Sequence, residues 1–165
     1  MEVCVIKTTS EFKNLISNCF IDNQKRLYLT AFAITQNHDV AEDALQEAYL
    51  KVMKKCSQLK DIAFAKTWIT RIVINQCKDM IKDNKTVSIE NIELNRTYFE
   101  NFDDEELQFF DLIKNLCSKE KEILTLKYFN EYSLNEISMI TKIPLSTVKS
   151  KLYRALEKIK SEWRD

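Results

Sequence analysis

No glycine occurs in the 165 residues of this chain, and proline occurs once, at Pro144. Glycine takes up positive φ at no steric cost, so its absence removes the hairpin turns that most all-β folds need. It also removes the glycine-rich loops by which nucleotide-binding folds cradle phosphate. Such a chain is expected to be all-α. Hydrophobic residues make up 45% of it, enough to bury a core.

Apolar periodicity predicts helices over 10–20, 23–35, 39–56 and 61–82, then over 107–116, 119–129, 134–141 and 145–163. Between the two sets, Asn and acidic residues accumulate and the periodicity fades. The expected organisation is therefore two small helical domains, 1–83 and 107–165, joined by an acidic linker, 84–106. Charge follows the same division although the formal net charge is zero. Residues 1–82 carry 12 basic and 9 acidic side chains, 83–106 carry 2 and 8, and 107–165 carry 11 and 8. Two mildly basic lobes thus flank an acidic connector, and the isolated chain is expected to bind duplex DNA weakly.

The segment SLNEISMITKIPLSTVKSKLYRALEKIKSEW, Ser133–Trp163, has the pattern of a helix-turn-helix. Ser133 and Glu136 make an S-x-x-E capping box at the first helix, whose apolar contacts come from Ile137, Ile140 and Ile143. Pro144 stands where the second helix starts, a position that needs no N–H. Val148, Leu152, Ala155, Leu156 and Ile159 form the second helix's apolar stripe. Lys149, Ser150, Tyr153 and Arg154 share the opposite face, as donors and a flat ring would on a helix laid in a major groove. The same spacing also suits an ordinary amphipathic hairpin with a solvated face.

Two faces stand out in the first lobe. On the helix from Asp39, Ala41, Ala44, Leu45, Ala48 and Val52 form the apolar stripe. Glu42, Asp43, Gln46 and Glu47 form an acidic and amide-bearing face. Composition alone makes this a solvated helix start, since carboxylates favour the N-terminal dipole, with a protein-docking face as the alternative. On the helix from Asp61, Arg71, Asn75, Lys78 and Lys82 recur at i, i+4, i+7 and i+11, a stripe suited to phosphate tracking and base contact. Phe64 and Trp68 lie near its start, where rings could meet unstacked bases, although spacing favours Trp68 as core.

Five cysteines (Cys4, Cys19, Cys56, Cys77, Cys117) are widely spaced without a C-x-x-C, and His38 is the sole histidine. No metal site or cofactor is expected on those spacings. Most of the cysteines are expected to be small core residues. No nucleophile–base pair is evident, so an enzyme is not expected. With neither a signal peptide nor a long apolar run, the expectation is a cytoplasmic protein with no membrane insertion.

Taken together, LYLTAFAITQNHDVAEDALQEAYLKVMKK, TWITRIVINQCKDMIK and LTLKYFNEYSLNEISMITKIPLSTVKSKLYRALEKI resemble sigma factors of the extracytoplasmic-function group, in the sigma-70 family. The order AED-x-x-Q, W-x-x-x-I-x-x-N-x-x-x-D and TVKS-x-L-x-RA is far more specific than any one motif. The resemblance implies a promoter-specificity subunit that directs initiation at −35/−10 promoters, in a stress or envelope response. It implies that Asp39, Glu42, Asp43 and Gln46 dock on the clamp helices of core RNA polymerase. It assigns Arg71, Asn75, Lys78 and Lys82 to the −10 element, and the loop 57–63 to capture of a flipped base. Lys149, Ser150, Tyr153 and Arg154 fall to the −35 element. Core polymerase, including its flap, promoter DNA and an anti-sigma factor are the implied partners. The acidic linker would thread toward the RNA exit path.

Ser146 stands where the family usually has glycine, and Lys149 and Lys151 where arginine is common. Lysine lacks the bidentate fork for guanine, which shifts discrimination toward Arg154 and DNA shape. The alternative reading is a stand-alone helix-turn-helix regulator that binds operators without polymerase.

Overall fold

In a computed structural model of the chain, residues 9–83 and 102–162 are described. Among them are eight α-helices and no strand: α1 Thr9–Asp22, α2 Gln24–Thr35, α3 His38–Lys55, α4 Ala65–Asp83, α5 Asp104–Ile113, α6 Ser118–Tyr128, α7 Leu134–Thr141 and α8 Leu145–Glu162. Two short 3-10 turns, Cys56–Gln58 and Ile62–Phe64, carry the chain from α3 to α4. Residues 84–101 of the expected linker, Cys4, and Trp163 at the expected end of the last helix lie outside the described residues.

Three helix starts have a local cause. The Asn37 side chain accepts the Val40 N–H at 3.0 Å to open α3. Ser133 and Glu136 form the expected reciprocal capping box on α7. A second capping box, Asp103 with Glu106, starts α5 at Asp104, three residues before the predicted 107. Asp103–Glu106, at the end of the expected linker, therefore cap and begin a helix, where three carboxylates face its dipole.

The reversals have no glycine to use. Gln36 closes α2 at φ 54°, Lys142 closes α7 at φ 57°, and Glu131 turns the chain between α6 and α7 at φ 57°. All three sit in the left-handed region, which costs an L-residue with a Cβ about 1–2 kcal/mol. Ser146 lies in the first turn of α8, so the helix-turn-helix corner forms without the family's usual glycine.

In the first lobe α3 presents Ala41, Ala44 and Ala48 to its neighbours, all fully buried, so α2 and α4 approach it closely. Leu27, Ile69 and Val73 fill the space between, and Ile16 of α1 closes the end. In the second lobe Ile137 and Ile140 of α7 meet Val148, Leu152 and Ala155 of α8 over Ile123 and Leu124 of α6. The lobes are not held apart. Helix α2 packs on α6 and α4 packs on α7, so one hydrophobic core runs through both. Helix α6 lies between the lobes and buries seven consecutive residues, Glu120–Leu126.

Replacing Lys142 by glycine should relieve the left-handed strain while adding unfolded-chain entropy, for a net gain of up to about 1 kcal/mol. Urea unfolding of Lys142→Gly beside the parent checks it; a loss of stability would show that the corner is not strained.

Candidate nucleic-acid interfaces

On α8 the apolar stripe settles the direction of the opposite face. Val148, Leu152 and Ala155 are buried, and Leu156 and Ile159 pack against the core from its margin. Lys149, Ser150, Tyr153 and Arg154 are all exposed on one side, with Tyr153 61% accessible despite its ring. Ser150 Oγ donates to the Thr147 carbonyl at 3.1 Å, which holds the hydroxyl against the helix. From behind, Lys158 Nζ reaches Glu120 on α6 at 2.9 and 3.0 Å and ties the far half of α8 to the lobe's centre. The four predicted residues thus form a contiguous face of two cations, a hydroxyl and a ring, the chemistry of base-edge and phosphate contact.

The α4 stripe is divided. Asn75 and Lys82 are exposed. Arg71 donates through Nη2 to the Met139 carbonyl of α7 at 2.7 Å, and its Nε is buried with no hydrogen-bond partner. Lys78 forms an ion pair at 3.0 Å with Glu122 of α6, whose side chain is only 3% accessible. Two of the four residues read as one DNA-facing stripe are thus engaged by the other lobe. Just before α4, Asp61 Oδ1 accepts the Ala63 N–H at 2.9 Å and shapes a turn that leaves Phe64 56% and Ile62 38% exposed. Trp68 is half-buried against the core, as its spacing implied.

The acidic face of α3 is open. Asp39, Glu42, Asp43 and Gln46 are all exposed, opposite Ala41, Ala44, Leu45 and Ala48. Glu42 lies 3.4 Å from His38 Nε2, and the Tyr28 hydroxyl meets His38 Nδ1 at 2.5 Å. Burial pushes the Tyr28 phenol up to about 12, and Glu42 and Asp39 add to it. Tyr28, His38 and Glu42, with Lys25, Leu45, Gln46 and Phe102, line an open cleft of about 620 Å³ beside the acidic face. His38, Tyr28 and Phe102 escaped the sequence reading; only the pairing of the sole histidine with Glu42 at i+4 pointed to them.

The cysteines divide. Cys56 and Cys77 are buried and Cys19 partly so, whereas Cys117 is exposed, preceding α6, where its N–H donates to Glu120 at 3.1 Å and its carbonyl accepts the Lys121 N–H at 3.0 Å. Burial pushes the Cys77 thiol up to about 12. Among the described residues no helix is long and apolar enough to cross a membrane.

Comparison with known proteins agrees with this arrangement. Sigma-70 region 2 matches residues 19–87 and Sigma-70, region 4 matches residues 106–159. The chain is 28% identical over 156 residues to the RNA polymerase sigma factor SigV of Bacillus subtilis (strain 168), covering 92% of this chain and 93% of that protein. It is 26% identical over 186 residues to the ECF RNA polymerase sigma factor SigW of the same organism, covering all of both. Among solved structures, the sigma factor RpoE in complex with the anti-sigma factor NepR from Bartonella quintana superposes with a TM-score of 0.74 at 20% identity, over 90% of this chain and 96% of that one. CnrH in complex with the cytosolic domain of CnrY gives 0.67 at 14% identity, over 92% and 96%.

The helix-turn-helix should be acid-sensitive. Ser133 holds Glu136 below its usual value near 4.5 through its backbone N–H and its hydroxyl, and burial opposes them only in part. Burial works against the Glu120 carboxylate, yet Lys158 and the Cys117 N–H outweigh it and also leave that group depressed. A depressed carboxylate contributes stability that is fully present above its unfolded value and lost as pH falls through the folded one. Melting temperature should therefore fall as pH drops below about 4.5, and Glu136→Gln should flatten part of that slope. Thermal melts of the two proteins across this range check it.

Proposed function

The chain belongs to the extracytoplasmic-function group of the sigma-70 family, and on that premise we propose how its surfaces divide the work of initiation. As a member it is a promoter-recognition subunit that binds core RNA polymerase and promoter DNA. In our reading α8 carries the −35 element on Lys149, Ser150, Tyr153 and Arg154. The observation that supports this most is their joint exposure on the face opposite a fully buried stripe. Arg71, Asn75, Lys78 and Lys82 of α4 serve the −10 element, and the turn over 57–63, with Phe64 beside it, takes up a flipped base. Recovering a few kcal/mol of lost stacking requires an accessible pocket or ring there, and Phe64 is accessible.

Asp39, Glu42, Asp43 and Gln46 dock on the polymerase clamp helices, and the second lobe meets the flap. Their exposure on a helix whose other side is packed with alanine supports a docking role. The domain limits 1–83, 84–106 and 107–165 follow this division of labour, with the second lobe's first helix beginning inside the acidic stretch. That stretch carries 8 acidic against 2 basic residues over 83–106, which suits a path built for RNA and ready displacement by a transcript. Like other sigma factors, the protein works in the cytoplasm and lends recognition to an enzyme without having an active site of its own. An anti-sigma factor holds it inactive until a stress signal, as the structural neighbour solved with the anti-sigma factor NepR suggests. A stand-alone regulator would have no use for the α3 face.

Run-off transcription with purified core polymerase on genomic fragments tests the assignment. Lys149→Ala and Arg154→Ala should each cut use of a −35-dependent promoter about tenfold while leaving core binding intact. Asp43→Lys should weaken the complex with core instead. Equal loss of core binding in all three variants would refute the division, and transcription indifferent to the protein would favour the stand-alone regulator.

A further inference from the structure

Successive side chains of a helix are turned by about 100°, and the exposed side of α8 is not uniform. Val148, Leu152 and Ala155 are buried on one side. Opposite them Ser146, Ser150 and Tyr153 recur at i, i+4 and i+7, within about 60° of one another, and all three are exposed. Lys149 and Arg154 stand about 40° outside this row, one on either side. A helix laid in a major groove points its central row at the base edges and its flanks at the two walls of phosphate. Long cations reach wall or floor from the flanks, whereas a serine side chain is short and meets a base only from the centre. The central row begins with Ser146. We propose that Ser146 is a specificity-determining residue of the −35 interface, its hydroxyl donating to an acceptor on a base edge. This rests on the assignment of α8 to the −35 element made above.

The two serines of the row differ in their free hydrogen-bonding capacity. Ser150 Oγ donates its proton to the Thr147 carbonyl at 3.1 Å and keeps only acceptor capacity. The other serines of the helix-turn-helix are likewise engaged, Ser133 Oγ with Glu136 at 2.8 Å and Ser138 Oγ with the Ile143 carbonyl at 2.6 Å. Ser146 Oγ makes no hydrogen bond among the described residues, so its proton is available. Acceptors abound on the major-groove edge: N7 of both purines, O6 of guanine and O4 of thymine. The direction of Ser146 is fixed by the first turn, where the Pro144 carbonyl accepts the N–H groups of Thr147 at 2.9 Å and Val148 at 3.0 Å. Its place along the helix agrees. Glu157 follows Tyr153 on the same row and is exposed. A carboxylate facing phosphates is unfavourable, so DNA lies against the first half of α8, which Ser146 leads. Ser146 and Tyr153 are about 10 Å apart along the axis, roughly three base-pair steps, so they meet different base pairs. The glycine usual in the family at this place would leave the row without that donor.

The test uses the full chain with purified core polymerase. The templates derive from a promoter that the unaltered protein transcribes, randomised over the −35 element, each with a barcode carried into its transcript. Counting barcodes gives the base preference at every position. Ser146→Ala should flatten the preference at one position by roughly threefold to tenfold, the contribution of one hydrogen bond, and leave the others unchanged. That position should differ from those that Arg154→Ala flattens. Ser146→Gly should flatten the same position, because both variants lose the hydroxyl while acting oppositely on the helix. Uniform loss across all templates, or an unchanged preference, would overturn the proposal. So would flattening by Ser146→Gly alone, which would trace the effect to the backbone. The same templates separate the readings. Absence of transcription with the unaltered protein would refute the promoter role and this inference with it. Indifference to Lys149→Ala and Arg154→Ala would refute the −35 face of α8 and again both. A loss in those two variants beside an unaltered profile in Ser146→Ala would refute the role of Ser146 alone.

Discussion

The buried charges of α6 organise the molecule. Glu120, Lys121 and Glu122 are consecutive, all buried, and each is answered by a different element: Lys158 of α8, Gln36 at the end of α2, and Lys78 of α4. A buried ion left alone costs several kcal/mol, so three successive residues specify three neighbours in three directions. The Glu120 contact fixes α8 from behind and so orients the exposed row from Lys149 to Arg154. The other two set how the lobes meet. A helix whose charges faced water would impose none of this.

The absence of glycine gains a second meaning from the same contacts. Gln36 and Glu131 occupy left-handed turns that glycine usually takes, and both side chains cross between the lobes. Gln36 accepts from Lys121, and Glu131 lies 3.7 Å from Arg26. Glycine would ease the backbone at either place and forfeit the contact. The strain of each turn is offset by an interaction that only a long polar side chain can make. Lys142, at the third such turn, is exposed, and there the strain has no evident compensation.

What the sequence disclosed is what local physics decides. Periodicity located all eight helices to within a few residues, and the capping box of Ser133 and Glu136 needed only four positions to be read. The exposed faces of α3 and α8 were legible because each lies opposite a stripe whose burial follows from spacing. Helix α5 starts three residues earlier than its periodicity indicates, because its acidic first turn resembles a polar connector unless Asp103 is seen as a cap. The burial of Glu120, Lys121 and Glu122 was invisible, since nothing in a run of charges reveals that other elements will surround it. The same holds for α4. Arg71, Asn75, Lys78 and Lys82 do share a face, but helical spacing cannot say whether solvent, DNA or another lobe stands before it. Cys117 resembled its buried relatives in composition and differs only in preceding a helix start.

The two halves of the lobe interface bear on how a bipartite recognition protein can be controlled. Reading two separated promoter elements requires each lobe to find its own, and a short chain with a continuous core resists that separation. The aromatic contacts among Tyr28, Phe32, Phe102 and Phe110 lie beside the cleft next to the acidic face of α3. The polar contacts lie over α4. If polymerase occupies the first region, as proposed, it acts at the part of the interface that favours closure, and its affinity difference between the two forms is what can shift them. On the assignment of α4 proposed above, DNA would compete there against carbonyls and one carboxylate rather than against a hydrophobic seal. Docking and promoter contact would thereby be coupled through the packing of the lobes. Weak DNA binding by the free chain would be a consequence of the fold, beyond what a net charge of zero requires.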